Sequence, residues 1–128
     1  MLADADVGTR ETVERFIDGL EQGGRRVADD EWGVTVDADG WALHVGIVLR
    51  DGLLRAQAEV IGPGRIDPHV LLRWNRELPL VRFSHTGAGA VYIQGELPPA
   101  AVTEAQLDGF LGLLVRVATQ AREAASNP

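Results

Sequence analysis

Apolar residues recur along this chain with two different periods. Val13, Phe16, Ile17 and Leu20 stand at i, i+3, i+4 and i+7, one stripe of a helix. Thr9 is a suitable cap, and Glu11 and Glu14 fall in the first turn, where the helix dipole favours acid. Gly23 and Gly24 are suited to closing it. The pattern predicts a helix from Thr9 to about Gln22, after a short polar lead-in. "RRVADDE" then reads as a polar connector. Beyond it the period drops to two. Val34 and Val36 alternate with polar neighbours, as do Leu43, Val45, Ile47 and Leu49, and then Leu54, Ala56, Ala58 and Val60. "DADG" and "RDG" between these runs are hairpin signals, because Asp and Gly tolerate positive φ. A three-stranded antiparallel meander with one apolar face is expected.

Asp67 before Pro68 is an N-cap followed by a residue pre-set for the first helical position. A short helix from Pro68 to about Glu77 follows, stopped by Pro79. Val81 and Phe83, then Val91 and Ile93, alternate on either side of a glycine turn and predict a second hairpin. Pro98 and Pro99 end the sheet. Thr103 with Gln106 fits a capping box. It opens a long helix whose core stripe is Leu107, Phe110, Leu111, Leu114, Val117, Ala118 and Ala121. Gly109 and Gly112 weaken that helix locally or admit a close neighbour. Helix, three strands, helix, two strands, helix is an α+β pattern, a sheet with helices packed on it.

The 128 residues suit a single domain over 1–128 with a core of its own. There is no cysteine, so disulfides, thiolate metal sites and cysteine nucleophiles are excluded. All twelve basic residues are arginine. That rules out a lysine Schiff base and the phosphate-binding lysine of a P-loop. A net charge of −7 and a pI near 4.8 oppose binding to nucleic acid or an anionic membrane. No apolar run reaches the ~20 residues that span a bilayer, and the acidic N-terminus has no signal-peptide core. A cytoplasmic protein is expected.

The search for chemistry returns little. His44, His69 and His85 form no metal-ligand spacing. "DADG" fails the calcium-loop spacing, because Trp41 takes the fifth position and no glutamate takes the twelfth. "IGPGR" and "TGAGA" are turns and not phosphate loops. Ser84 and His85 are neighbours on one strand, so they point to opposite faces and cannot form a dyad by themselves. No catalytic residue, metal or cofactor is expected, and no enzyme.

The arginines remain. Arg65, Arg73, Arg76 and Arg82 face only Asp67 and Glu77 in the same stretch, a local excess of positive charge. On the short helix His69, Arg73 and Arg76 form one ridge. Val70, Leu71, Trp74 and Leu78 form the next, with Leu72 and Asn75 on a third side. A helix this short with apolar groups on more than one side meets more than the sheet. Either Trp74 completes the monomer core, or it faces a second subunit, where tryptophan and arginine are enriched.

"LLRWNREL", then "VRFSH", a glycine turn, "VYIQGELP" and "VTEAQLDGFL" together resemble the YbjN-type branch of the type III secretion chaperone-like fold. Element order carries the resemblance over most of the chain; the motifs themselves are structural signatures. The resemblance implies a cytoplasmic homodimer without cofactor or catalytic residues. It implies a dimer interface on the short helix and the adjacent strand, at Val70, Leu71, Trp74, Val81 and Phe83. Arg73 and Arg76 would help to hold an unidentified partner protein. It further implies that segments of that partner lie in apolar grooves or against a sheet edge. YbjN-type proteins are loosely described as sensory or stress regulators. Two alternatives stay open: a small-molecule sensor or enzyme on a concave sheet, using Trp32, Trp41, His44 and Arg55, and a nucleic-acid-binding regulator using Arg65, Arg73, Arg76 and Arg82.

Overall fold

A computed structural model describes residues 2–126, with side chains from Val7 onward. Helix α1 (Leu2–Asp18) leads into strands β1 (Gly24–Ala28), β2 (Glu31–Asp37), β3 (Ala42–Arg50) and β4 (Leu53–Ile61). Helix α2 (Pro68–Asn75) follows, then β5 (Val81–His85), β6 (Val91–Leu97), a short 3₁₀ turn at Pro99–Ala101 and helix α3 (Glu104–Ser126). The six strands form one antiparallel sheet in the order β1-β2-β3-β4-β6-β5.

Two boundaries differ from the sequence reading. Helix α1 starts seven residues before Thr9 and ends at Asp18, and Thr9 is a buried interior residue, not a cap. The helix also ends earlier than its apolar stripe: Leu20 N–H bonds Ile17 O at 3.2 Å, a tightened last turn. The second difference is a fourth strand in the meander. "RRVA" is β1, an edge strand whose residues after Gly24 are all exposed. A strand that buries neither face leaves no apolar alternation to read.

The tight turns are as the sequence indicates. Asp39 and Gly40 have φ of 62° and 96°, and Asp51 and Gly52 have 55° and 73°. Both are two-residue hairpins that need positive φ at each central position. At α3, Gln106 N–H donates to Thr103 Oγ1 at 3.1 Å, and every residue of the expected core stripe is buried.

Register puts Trp32, Val34, Val45, Ile47, Ala56, Ala58 and Ile93 on one face with Val81 and Phe83. The three helices pack there: α1 against β1, α3 against β4 and β6, and α2 against β5. The opposite face carries Thr35, His44, Arg55, Gln57, Glu59, Arg82 and Glu96, and no helix covers it.

Candidate protein-binding site

Helices α1 and α3 do not tile the part of the apolar face that lies between them. Helix α1 lies toward β1, and α3 toward β4 and β6, so β2 and β3 run between them. Strands lie ~4.8 Å apart, while a packed helix is ~10 Å wide, so an opening is left. It is a groove of about 400 Å³, floored by Val34, Val36 and Val45. Phe16 of α1 and Leu20 just beyond its end wall it on one side, and Leu111, Gly112 and Val115 of α3 on the other. Phe16, Leu20, Val36 and Val115 are only half-buried. At its rim Asp108 and Arg116 supply one charge of each sign, and Arg15 reaches Glu104 at 3.8 Å. The lining holds no nucleophile and no histidine. The chemistry of this groove is to accept apolar side chains.

A second region surrounds α2. Asp67 caps the helix, its Oδ1 accepting from His69 N–H at 2.9 Å. That bond first, and the His69 ring second, hold the Asp67 carboxyl below its usual range. Of the five residues expected at a dimer interface, Leu71, Val81 and Phe83 are buried within the chain itself, and Val70 and Trp74 are half-buried. Trp74 tilts against Phe83, ring centres 5.9 Å apart. With Leu78, Val117 and Ala121 these rings line a cleft of about 210 Å³ between α2 and α3. Arg73 and Arg76 are exposed on the outside of the helix.

Four residues here carry structure that sequence reasoning missed. Asn75 Nδ2 donates to Phe83 O at 3.0 Å, and its Oδ1 accepts Phe83 N–H at 2.7 Å. A side-chain amide thus occupies both backbone groups of the middle residue of the outermost strand. Leu80 has φ of 61° and is 58% exposed. Val81 N–H bonds Pro79 O at 2.6 Å across it, a positive-φ γ-turn, which is rare and strained. Holding a leucine in such a sparsely populated positive-φ conformation costs of order 1–3 kcal/mol. Gly95 makes room for this turn, because a Cβ there would stand 2.5 Å from Leu80 O and 2.9 Å from the Phe110 ring. Leu72, on the other side of α2, is 64% exposed. Only the grouping of Leu72 and Asn75 on a separate helix side hinted at any of this.

The two alternative constellations do not assemble. Trp32 is 1% exposed on the covered face, whereas His44 and Arg55 stand on the open one. Trp41 lies beneath the Arg122 guanidinium at 3.8 Å. No pocket joins the four. On the open face Arg25 donates to Thr35 Oγ1 at 3.3 Å, which lies 3.0 Å from His44 Nδ1. Arg82 binds Glu96 through two 2.7 Å hydrogen bonds. This pairing raises the Arg82 pKa and lowers that of Glu96. Arg82 is therefore committed on one side of the sheet while Arg73 and Arg76 lie on the helical side, and the four arginines form no common patch. Ser84 bonds Gln94, and His85 faces Thr86 O at 2.8 Å, each without the other. Among the described residues no cluster of three metal-ligating side chains occurs, and no helix is long and apolar enough to cross a membrane.

A mostly open antiparallel sheet with helices on one face and a short edge helix is the fold of type III secretion chaperones. The SchA–HopA1 chaperone–effector complex matches with a TM-score of 0.75 at 13% identity, over 92% of this chain and 95% of that one. The Yersinia pestis type III secretion chaperone SycH, in complex with a YscM2 fragment, matches at 0.67 and 22% identity, over 88% and 98%. The ExsC–ExsE complex matches at 0.67 and 17%, over 96% and 94%. Residues 9–126 match the YbjN family, described as "Putative bacterial sensory transduction regulator", and the chain belongs to that family. No curated protein matches the sequence.

Proposed function

We propose that the chain acts as one non-enzymatic, chaperone-like domain that holds apolar segments of a partner protein, and that it works as a cytoplasmic homodimer. The observation that carries this reading is the groove between α1 and α3. Its floor is sheet and its walls are half-buried aliphatic and aromatic side chains. A volume near 400 Å³ is room for two or three large side chains and for no catalytic group. The fold neighbours are themselves complexes of chaperones with protein partners, which supports the same reading. The subunit contact falls to α2 and β5, with Val70 and Trp74 at its margin, Leu71, Val81 and Phe83 as its backing, and Arg73 and Arg76 exposed toward the partner.

The test combines capture with mass. Proteins retained from the native host by wild type are purified and titrated against Leu20→Ser/Val115→Ser. Partner affinity should fall at least tenfold while thermal stability changes little, because both positions are only half-buried. Unchanged affinity would remove the groove from the reading. Light scattering should give a dimer, weakened by Trp74→Ala. A monomer whose mass and partner binding ignore Trp74→Ala would remove the subunit contact.

A further inference from the structure

Arg122 is held by its face and not by its charge. Its guanidinium lies over the Trp41 ring, 3.8 Å from the ring centre, where the last turns of α3 meet the β2–β3 hairpin. Stacking engages the face of a guanidinium and leaves its in-plane N–H donors unused. No carboxylate takes them. Among the described residues neither Arg122 nor Arg65, on the turn that follows β4, forms an ion pair or donates a side-chain hydrogen bond.

These two arginines line one recess of about 110 Å³, with Ile61 and Gly62 at the end of β4 and Ala125 and Ser126 at the end of α3. No acid lines it. Asp39 and Glu123 lie with Trp41 in a separate hollow on the hairpin side of Arg122. Ser126 Oγ donates to Arg122 O at 2.9 Å. That bond spends the hydroxyl proton. It also satisfies one of the α3 carbonyls whose partial negative charge would repel an anion. The side-chain donors left in the recess are the two guanidiniums.

Two like charges about one small space repel each other, and neither gains an acid within the fold to offset this. The arrangement suits a guest that carries two negative charges. A carboxylate brings one. A phosphate monoester brings about −1.5 to −2 at neutral pH, and the planar fork of a guanidinium matches its oxygens two at a time. We propose that the recess between Arg65 and Arg122 binds the phosphoryl group of a phosphate monoester, with Trp41 fixing the plane in which Arg122 presents its donors. The recess shares no lining residue with the α1–α3 groove or with the cleft beside α2, so the site stands apart from the chaperone reading.

Titrations followed through the arginine Nε–H resonances test it. The probes are phenyl phosphate, inorganic phosphate, a short phosphoserine peptide with its unphosphorylated counterpart, and benzoate as a singly charged control. Phenyl phosphate should shift the Arg65 and Arg122 resonances together and saturably, and bind at least tenfold more tightly than benzoate. Arg65→Gln and Arg122→Gln should each weaken it at least tenfold, Trp41→Leu severalfold, and Arg26→Gln not at all. Circular dichroism checks each fold; Arg65→Gln, on an exposed turn, keeps the test decisive if Trp41→Leu unfolds. Tighter binding of the phosphopeptide than of phenyl phosphate names a modified protein as the source of the phosphoryl group, and the reverse names a small molecule. Absence of saturable shifts with every phosphate at millimolar concentration overturns the site, as does a dissociation constant unmoved in both arginine variants. Benzoate binding as tightly as phenyl phosphate overturns the phosphoryl assignment.

Discussion

The two edges of the sheet solve one problem by different means. Each carries or borders on exposed apolar side chains, Val27 on β1 and Leu72 and Leu80 at the β5 end. Strand β1 is guarded by charge and irregularity. Arg25 and Arg26 project from it, and its register shifts between Arg26 and Ala28, the devices that discourage edge-to-edge pairing. Thr35 N–H bonds Gly23 O at 2.9 Å, so by alternation Arg25 also pairs inward while Gly24 and Arg26 turn their backbone groups outward. Strand β5 has the outward groups of its middle residue, Phe83, filled by one amide from a packed helix. A charge guard is generic and leaves the backbone available to a well-matched segment. A side-chain lock ties helix to strand and withdraws the backbone of its middle residue. The β1 end therefore keeps outward backbone groups available, while at the β5 end those of Phe83 are taken.

If that contrast holds, perturbations at the β5 end should cost far more than those at the β1 end. Gly95→Ala should be the most damaging, about 3 kcal/mol by urea denaturation. It lies at the upper end of overpacking costs because the nearest obstacle is the Leu80 carbonyl, 2.5 Å from the new Cβ, and backbone cannot swing aside. Asn75→Ala removes two hydrogen bonds, worth about 2 kcal/mol together. A loss below half of that would mean that water replaces the lock. At the β1 end, Asp30 is held by Arg10, whose Nη2 lies 3.1 Å from Oδ2. That hydrogen bond lowers the Asp30 pKa. Its stabilisation is thus complete above the unfolded-state pKa and lost as pH falls through the lower folded value. Asp30→Asn should cost under ~1 kcal/mol near neutrality, because both side chains are partly solvated. It should also flatten the acid limb of stability against pH. Arg25→Ala should stay within ~0.5 kcal/mol; a larger loss would place β1 among the structural strands and erase the contrast.

What the sequence revealed follows the same division. Elements with one buried face declared themselves: the α3 stripe and its Thr103 cap, and the alternation in β3, β4 and β6. Strand β1 hid because it buries nothing, and "ADDE" turns without the glycine that marks the other hairpins. At the candidate site Trp74 and the arginines drew notice by residue type, but Leu71, Val81 and Phe83, placed beside them at an interface, pack inward. Leu80 gave no sign and Asn75 only its place on a separate helix side, since a strained φ and an amide eight residues from its partner belong to the folded chain and to no local pattern. The groove was unreadable for a related reason: it is a space between α1 and α3, set by where two helices land on a sheet and not by any residue's identity.

The uncovered polar face has a mechanical consequence. With helices on one side only, the sheet can curl about β2 and β3 without driving into a second layer, and the surface pairs Arg50–Glu31 and Arg82–Glu96 bridge neighbouring strands. Curling spreads or narrows the gap between α1 and α3. The width of the cleft is thus tied to the curvature of the sheet and not to its walls alone.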